Sequence, residues 1–211
     1  TVKRTAVTEF KNIRSNGLKA LNLHENDELI DVEVISEDQP MIIGTHNGYA
    51  LSFKSSVVRS MGRSAAGVRG IRLRDEDYVI GAAPLNPDSK VLVISENGFG
   101  KQTPASEYPI KGRGGLGVKT VNVTAKNGPL VGLTTVNGDE DIMLVTDQGV
   151  IIRFDIESVS QTGRSAVGVH LIKMDNGARV ATIAKVDKEV DEETEEATNT
   201  FSHIESQSME N

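Results

Sequence analysis

The sequence predicts an all-β, propeller-like array of about four blades, and three features predict it. One segment recurs four times: IRSNGLKALNL at 13–23, GRSAAGVRGIRL at 62–73, GRGGLGVKTVNV at 112–123 and GRSAVGVHLIKM at 163–174. The glycine common to the copies (Gly17, Gly67, Gly117, Gly168) recurs at intervals of 50, 50 and 51 residues, the mark of one supersecondary unit used repeatedly. A second marker keeps the same period, ending at Gly48, Gly98 and Gly149, between short runs of alternating apolar residues.

The elements follow in order within one unit. In the second half of the chain the strand-like runs are GVKTVNV, then PLVGLTTV at 129–136, DIMLVT at 141–146 and VIIRF at 150–154. The last two flank Asp147-Gln148-Gly149, whose counterparts are Asn47-Gly48 and Asn97-Gly98. Asn-Gly predicts a two-residue type I′ hairpin turn, because both residues tolerate positive φ. No part of the body sustains helical periodicity. Four short strands per unit of ~50 residues make a blade. The recurring glycine reads as a backbone position that needs positive φ or a close approach. The chain starts inside a repeat, at TVKRT, so the expectation is a cut in a longer protein and an open arc of a larger ring.

Composition narrows the class. With 37% hydrophobic and 4% aromatic residues, the core must come mainly from Val, Ile and Leu. No apolar run is long enough to span a membrane, and no start resembles a signal peptide. The absence of cysteine excludes disulfides and thiol chemistry and fits a cytoplasmic location. The net charge of -7 is unevenly placed: residues 186–211 carry nine acids against Lys188 alone, leaving 22 basic and 21 acidic groups in the body. Residues 1–186 therefore read as the repeat domain. Residues 187–211 lack the apolar content to offset ordering entropy and read as a disordered acidic tail.

The charges beside the recurring glycine repeat their sign. Upstream stand Arg14, Arg63, Arg113 and Arg164; two residues downstream stand Lys19, Arg69, Lys119 and His170; Lys111 neighbours Arg113. Equivalent positions in stacked blades face one way, so Arg14, Lys19, Arg63, Arg69, Lys111, Arg113, Lys119 and Arg164 are the candidate DNA-binding residues, a cation stripe that neutralises phosphates. Lys3, Arg4, Lys54, Lys101 and Arg153, after the hairpin turns, are expected to extend it. The bland alternative is ordinary solvated charge. Other sites are weaker. GRGGLG matches the dinucleotide fingerprint but precedes an alternating run, not a helix, and its sister copies lack the glycines. His24, His46, His170 and His203 have no ligand spacing, so no metal is expected. Tyr49, Tyr78 and Tyr108 read as packing residues. No catalytic constellation and no cofactor site can be assembled, and scarce aromatics disfavour base stacking.

The wording of the repeats is specific. TVKRTAVTEFKNIRSNGLKALNL, RSMGRSAAGVRGIRLRDEDYVIG, ENGFGKQTPASEYPIKGRGGLGVKTVNVTAKNGPLVG and QGVIIRFDIESVSQTGRSAVGV resemble the C-terminal domain of bacterial DNA gyrase A, over about residues 1–186. The related domain of topoisomerase IV is the nearest competitor. The resemblance implies a β-pinwheel, in which strands are exchanged between blades, that wraps duplex DNA on its basic rim. It also implies a parent heterotetramer, two copies of gyrase A with gyrase B, which uses ATP and Mg to supercoil DNA in the bacterial cytoplasm, at the nucleoid. The family's Q-R/K-R-G-G-R/K-G box belongs to a blade outside this sequence. KGRGGLG at 111–117 resembles it but has Leu116 where the box has a cation. The DNA-cleaving tyrosine and the ATP site also fall outside, so the chain alone is expected to be non-catalytic. The alternative from another class is a propeller scaffold for protein partners, disfavoured by the scarcity of hot-spot aromatics.

Overall fold

The computed structural model describes residues 1–174 and 177–188. The acidic stretch 189–211, read above as most of a disordered tail, lies outside the described residues. Eleven strands form among them: β1 (Pro40–Thr45), β2 (Tyr49–Lys54), β3 (Val79–Pro84), β4 (Lys90–Ser95), β5 (Phe99–Pro104), β6 (Val118–Lys119), β7 (Leu130–Val136), β8 (Glu140–Thr146), β9 (Ile151–Asp155), β10 (Val169–His170) and β11 (Val180–Asp187). They make three antiparallel sheets, ordered β3-β1-β2-β6, β10-β5-β4-β7 and β11-β8-β9. These are blades of the second, third and fourth copies. Residues 1–36 hold the remains of a first, with bridges at Val2 and Arg4 instead of a full strand.

Each hairpin turns in the same way. The Gly48, Gly98 and Gly149 amides donate to Thr45, Ser95 and Thr146 carbonyls, each at 3.0 Å. Only the glycine of each turn has positive φ (83°, 77° and 79°); Asn47 and Asn97 do not. The connection is thus a type I-like turn closed by a left-handed glycine, not the type I′ turn expected from Asn-Gly. The longer turn still preserves hairpin register, with Gly44 opposite Ala50 and Ile94 opposite Gly100.

Both faces of the two middle hairpins are covered, so β1 and β4 are apolar on both faces and even the polar Lys101, Gln102 and Thr103 of β5 are buried. Along β4, Val91 and Val93 join the core shared with the second blade, whereas Leu92 and Ile94 join the core shared with the fourth. In β1, Ile42 faces the third blade and Ile43 packs towards the first copy with Leu51, Phe53, Val58 and Ile71. In β8, by contrast, buried and half-exposed residues alternate strictly, as on a sheet with one covered face.

What joins the copies is a strand exchange. Val118 of the third copy pairs with Ala50 on β2, and Ile110 bridges Ser52. The fourth copy repeats this on β5, with Val169 opposite Gly100 and Gln161 beside Gln102. The second repeats it on the first, with Val68 opposite Val2 and Ser60 beside Arg4. The outer edge of each of the first three copies is therefore capped by the glycine loop of the next. The run GVKTVNV yields only the two-residue β6, because after Lys119 the chain bends over the preceding hairpin, where Thr120 and Val121 amides both reach the Gly48 carbonyl (2.9 and 3.3 Å).

The recurring glycine makes that seat. Gly117 has φ 73°, and a Cβ there would stand 2.6 Å from the Ala50 carbonyl oxygen; Gly168 would meet the Gly100 oxygen at 2.8 Å. Gly17 has φ 75° but faces nothing within 4 Å. Gly117→Ala is therefore expected to lose about 2–3 kcal/mol, adding a displaced loop to the left-handed strain, and Gly17→Ala only about 1 kcal/mol from the strain alone. Urea unfolding of the two variants measures the difference; equal losses would mean that the close approach costs nothing.

Candidate nucleic-acid interface

The capping loops touch one another as well as the strands beneath them. A loop seated on the neighbouring blade lies beside the loop of that neighbour, and a repeated hydrogen bond ties them. Arg63 Nη1 donates to the Lys19 carbonyl (3.3 Å), Arg113 Nη1 to the Arg69 carbonyl (3.0 Å) and Arg164 Nη1 to the Lys119 carbonyl (3.2 Å). Each arginine thus reaches back one copy to the residue that bears that copy's second cation. Backbone contacts reinforce the middle junction: the Gly114 amide donates to Gly70 O (2.5 Å) and the Arg72 amide to Gly115 O (2.8 Å). Arg113 Nε also donates to Val57 O at 3.3 Å.

The structure brings six of the eight candidate cations into these three junctions: Lys19 with Arg63, Arg69 with Arg113, Lys119 with Arg164. Lys19, Arg69, Arg113 and Lys119 are exposed; Arg63 and Arg164 are half-buried. Lys111 is exposed beside the middle junction, its amide donating to Ser52 O at 2.8 Å. Arg14 is exposed on the first loop, beside a depression lined by Glu9, Lys11, Asn16 and Arg63.

The second group of expected cations behaves differently. Lys101 is fully buried, against the expectation that it would extend the stripe. Its ammonium donates at 2.6 Å to both the Gly163 and Arg164 carbonyls, beneath the last loop. Burial lowers its pKa to about 8, although Glu107 pulls the other way. Lys3, at the equivalent place in the first copy, is half-buried and reaches the Ala20 and Arg63 carbonyls, each at 2.5 Å. Lys54 and Arg153 pair with Asp38 and Asp141, both at 2.7 Å. Strand alternation explains the burial: position 101 turns towards the covering loop, and in the second copy Leu51 fills that place. A charge type alone could not reveal this, but the hairpin register could.

Sequence reasoning missed Arg74, whose guanidinium lies 3.4 Å over the Tyr49 ring and donates to Leu116 O at 2.8 Å. It also missed the pairing of His170 with Phe99, whose rings lie 3.8 Å apart. Both residues follow their loop's glycine and face the residue after a hairpin glycine. Tyr108, read as a packing residue, is buried, with its hydroxyl 2.5 Å from Thr120 Oγ1.

A family model described as the DNA gyrase C-terminal domain, beta-propeller, matches residues 1–36, 39–86, 89–137 and 140–187, one match per copy. The chain is 65% identical over 188 residues to a DNA gyrase A of Streptococcus pyogenes, covering 89% of this chain and 23% of the relative. It is 63% identical over 185 residues to that of Streptococcus pneumoniae, covering 88% of this chain and 22% of that protein. The chain thus spans about a quarter of the length of these relatives. Among solved structures, the C-terminal domain of DNA topoisomerase IV superposes with a TM-score of 0.83 at 26% identity, over 95% of this chain and 63% of that one. A DNA gyrase A C-terminal domain follows at 0.76 and 27%, over 85% and 60%.

Lys101 gives the loop support a pH signature. Its folded pKa lies below the ordinary lysine value, so between pH 8 and 10.5 the unfolded chain holds a proton that the folded chain has lost. Stability from this group must then rise with pH across that window. Relative to Lys101→Leu, the unsubstituted chain is expected to gain about 2–3 kcal/mol between pH 8 and pH 10. Parallel urea titrations of the two chains check it; a constant difference would mean that Lys101 titrates normally.

Proposed function

Because the chain belongs to the DNA gyrase C-terminal domain family, we propose that it binds duplex DNA through its phosphates, along the row of capping loops, and bends it round the arc. The observation that carries this reading is the row itself: four loops tied edge to edge at three junctions, which hold the cations Lys19, Arg63, Arg69, Arg113, Lys119 and Arg164 in repeated positions. Lys111 and Arg14 add to it. Cations on irregular loops, without a helix or ribbon shaped for a groove, hold a backbone and do not read bases.

In the parent protein this segment would present wrapped DNA to a strand-passage gate. ATP and Mg would be supplied elsewhere, in an assembly of two copies of gyrase A with gyrase B in the bacterial cytoplasm. Wrapping of fixed hand would bias passage towards negative supercoiling. The chain by itself would catalyse nothing. Identities of 60–65% to gyrase A relatives favour gyrase over topoisomerase IV as the parent. A protein-binding scaffold is the weaker reading, since the row is cationic and carries few aromatic side chains.

The test is a titration of the chain against duplex DNA at several salt concentrations. If about five phosphates are neutralised, log K against log salt should fall with a slope of roughly -4 to -5. Mixed-sequence duplexes of equal length should bind alike. A flat salt response, or a strong preference for one sequence, would overturn the reading.

A further inference from the structure

Taking duplex binding as above, we propose that the phosphate-binding unit is the junction between two copies, not the copy: Lys19 with Arg63, Arg69 with Arg113, and Lys119 with Arg164 each form one composite site for a single DNA phosphate. A blade-by-blade reading would pair Arg63 with Arg69, which flank the same glycine. The geometry pairs each arginine with the cation of the copy before it.

The three junctions share one construction. The arginine of the later copy donates an Nη1 proton to the carbonyl of the residue whose side chain is the earlier copy's cation (3.3, 3.0 and 3.2 Å). That bond fixes the guanidinium beside the root of the second cation. It also leaves the guanidinium with N–H donors that the contact does not use. Among the described residues, none of the six side chains forms an ion pair with a carboxylate. Glu107 comes near the last junction, but its carboxylate accepts from the Arg164 backbone amide (3.1 Å), not from the guanidinium.

Two cations rooted this close repel each other until an anion joins them. A phosphate is suited to that role: its two free oxygens take a planar fork from arginine and a second charged donor from the neighbouring side chain. Lys119 does not spend its ammonium deeply; its contact is Asn122 Oδ1 at 3.4 Å. Arg14 and His170 stand at the ends of the row, each without a partner junction among the described residues.

A double-mutant cycle tests the pairing, with a fluorescent mixed-sequence duplex as probe and thermal melts confirming that each variant folds. Arg69→Gln and Arg113→Gln are made singly and together, and Arg63→Gln is combined with Arg69→Gln as the within-copy control. Each single change is expected to weaken binding about tenfold and to make the salt slope shallower by about one. Across the junction, the double variant should lose little more than either single, again about one unit of slope, because one phosphate contact is involved. Within the copy, the losses should multiply to about a hundredfold, with two units of slope lost. Losses that multiply across the junction, or coupling within the copy, would overturn the composite site while leaving DNA binding intact. Failure of the unsubstituted chain to bind duplex would instead remove the reading on which the proposal rests. Arg113→Lys guards against a merely positional role and against misfolding of the glutamine variant. A restored slope with weaker affinity supports a phosphate contact at 113; a slope still one unit shallow refutes it.

Discussion

A β-sheet edge is a row of unpaired backbone donors and acceptors, and each inner blade of this domain closes its outer edge with the loop of the next copy. Val68 on Val2, Val118 on Ala50 and Val169 on Gly100 are one contact made three times. The rest of the architecture follows from it. Because the cap comes from the next copy, blades cannot separate without exposing an edge, and consecutive copies must stack with a constant turn. At β9, where no capping loop is found among the described residues, the equivalent position is open: Ile151 is 59% exposed, whereas Ala50 is fully buried. The exchange therefore does for this array what hydrogen bonding does for a closed barrel.

The same constraint decides what the core is made of. A sheet capped on its edge and covered on both faces has no solvent side, so strands such as Val91–Ile94 lose the polar alternation of an ordinary antiparallel sheet. Burial of each such side chain contributes roughly 1.5–3 kcal/mol, which explains how a chain without tryptophan and with few aromatics holds together. It also explains the buried polar groups. Gln102 lies under the cap, and its Nε2 donates to the Ile156 and Val159 carbonyls (2.7 and 2.8 Å), tying the turn after β9 to β5. Lys101 does likewise for the loop at Gly163. Polar side chains are used where a capping loop leaves carbonyls that no strand can reach.

Much of this was written in the chain. The 50-residue period, the glycine pair in each unit and the runs that became β7, β8 and β9 were readable because repetition and alternation are local patterns. The fate of GVKTVNV was not. Its alternation is genuine, yet Val121 and Val123 serve to grip the Gly48 turn of another copy, a contact 70-odd residues away that no window of sequence contains. The hairpin turns were placed correctly but given the wrong class, since Asn47 keeps an ordinary φ and leaves the left-handed position to Gly48. For the cations, the repeated sign at Arg63, Arg113 and Arg164 pointed to a row. The carbonyl each one holds, and the burial of Lys101, depend on how copies interlock, so they appear only in three dimensions.

The electrostatics follow from arrangement and not from total charge. The body carries nearly equal numbers of acids and bases, so its net charge cannot attract a polyanion. The sorting of those charges can. Asp38, Glu96, Glu140, Asp141 and Asp155 take Lys54, Arg179, Lys185, Arg153 and Lys188, away from the junctions. Those pairs cancel locally, and beyond a screening length of ~8 Å they contribute little to the field. Among the described residues, Lys19, Arg63, Arg69, Arg113, Lys119 and Arg164 stand outside those pairs, on the capping loops. The loops need arginine there for a structural reason, because a guanidinium can hold a neighbour's carbonyl and still present charge. The bond that joins copies into an array therefore also spaces their cations. A surface assembled this way has its charges at the period of the fold, and any polyanion that follows the row must meet them in that order.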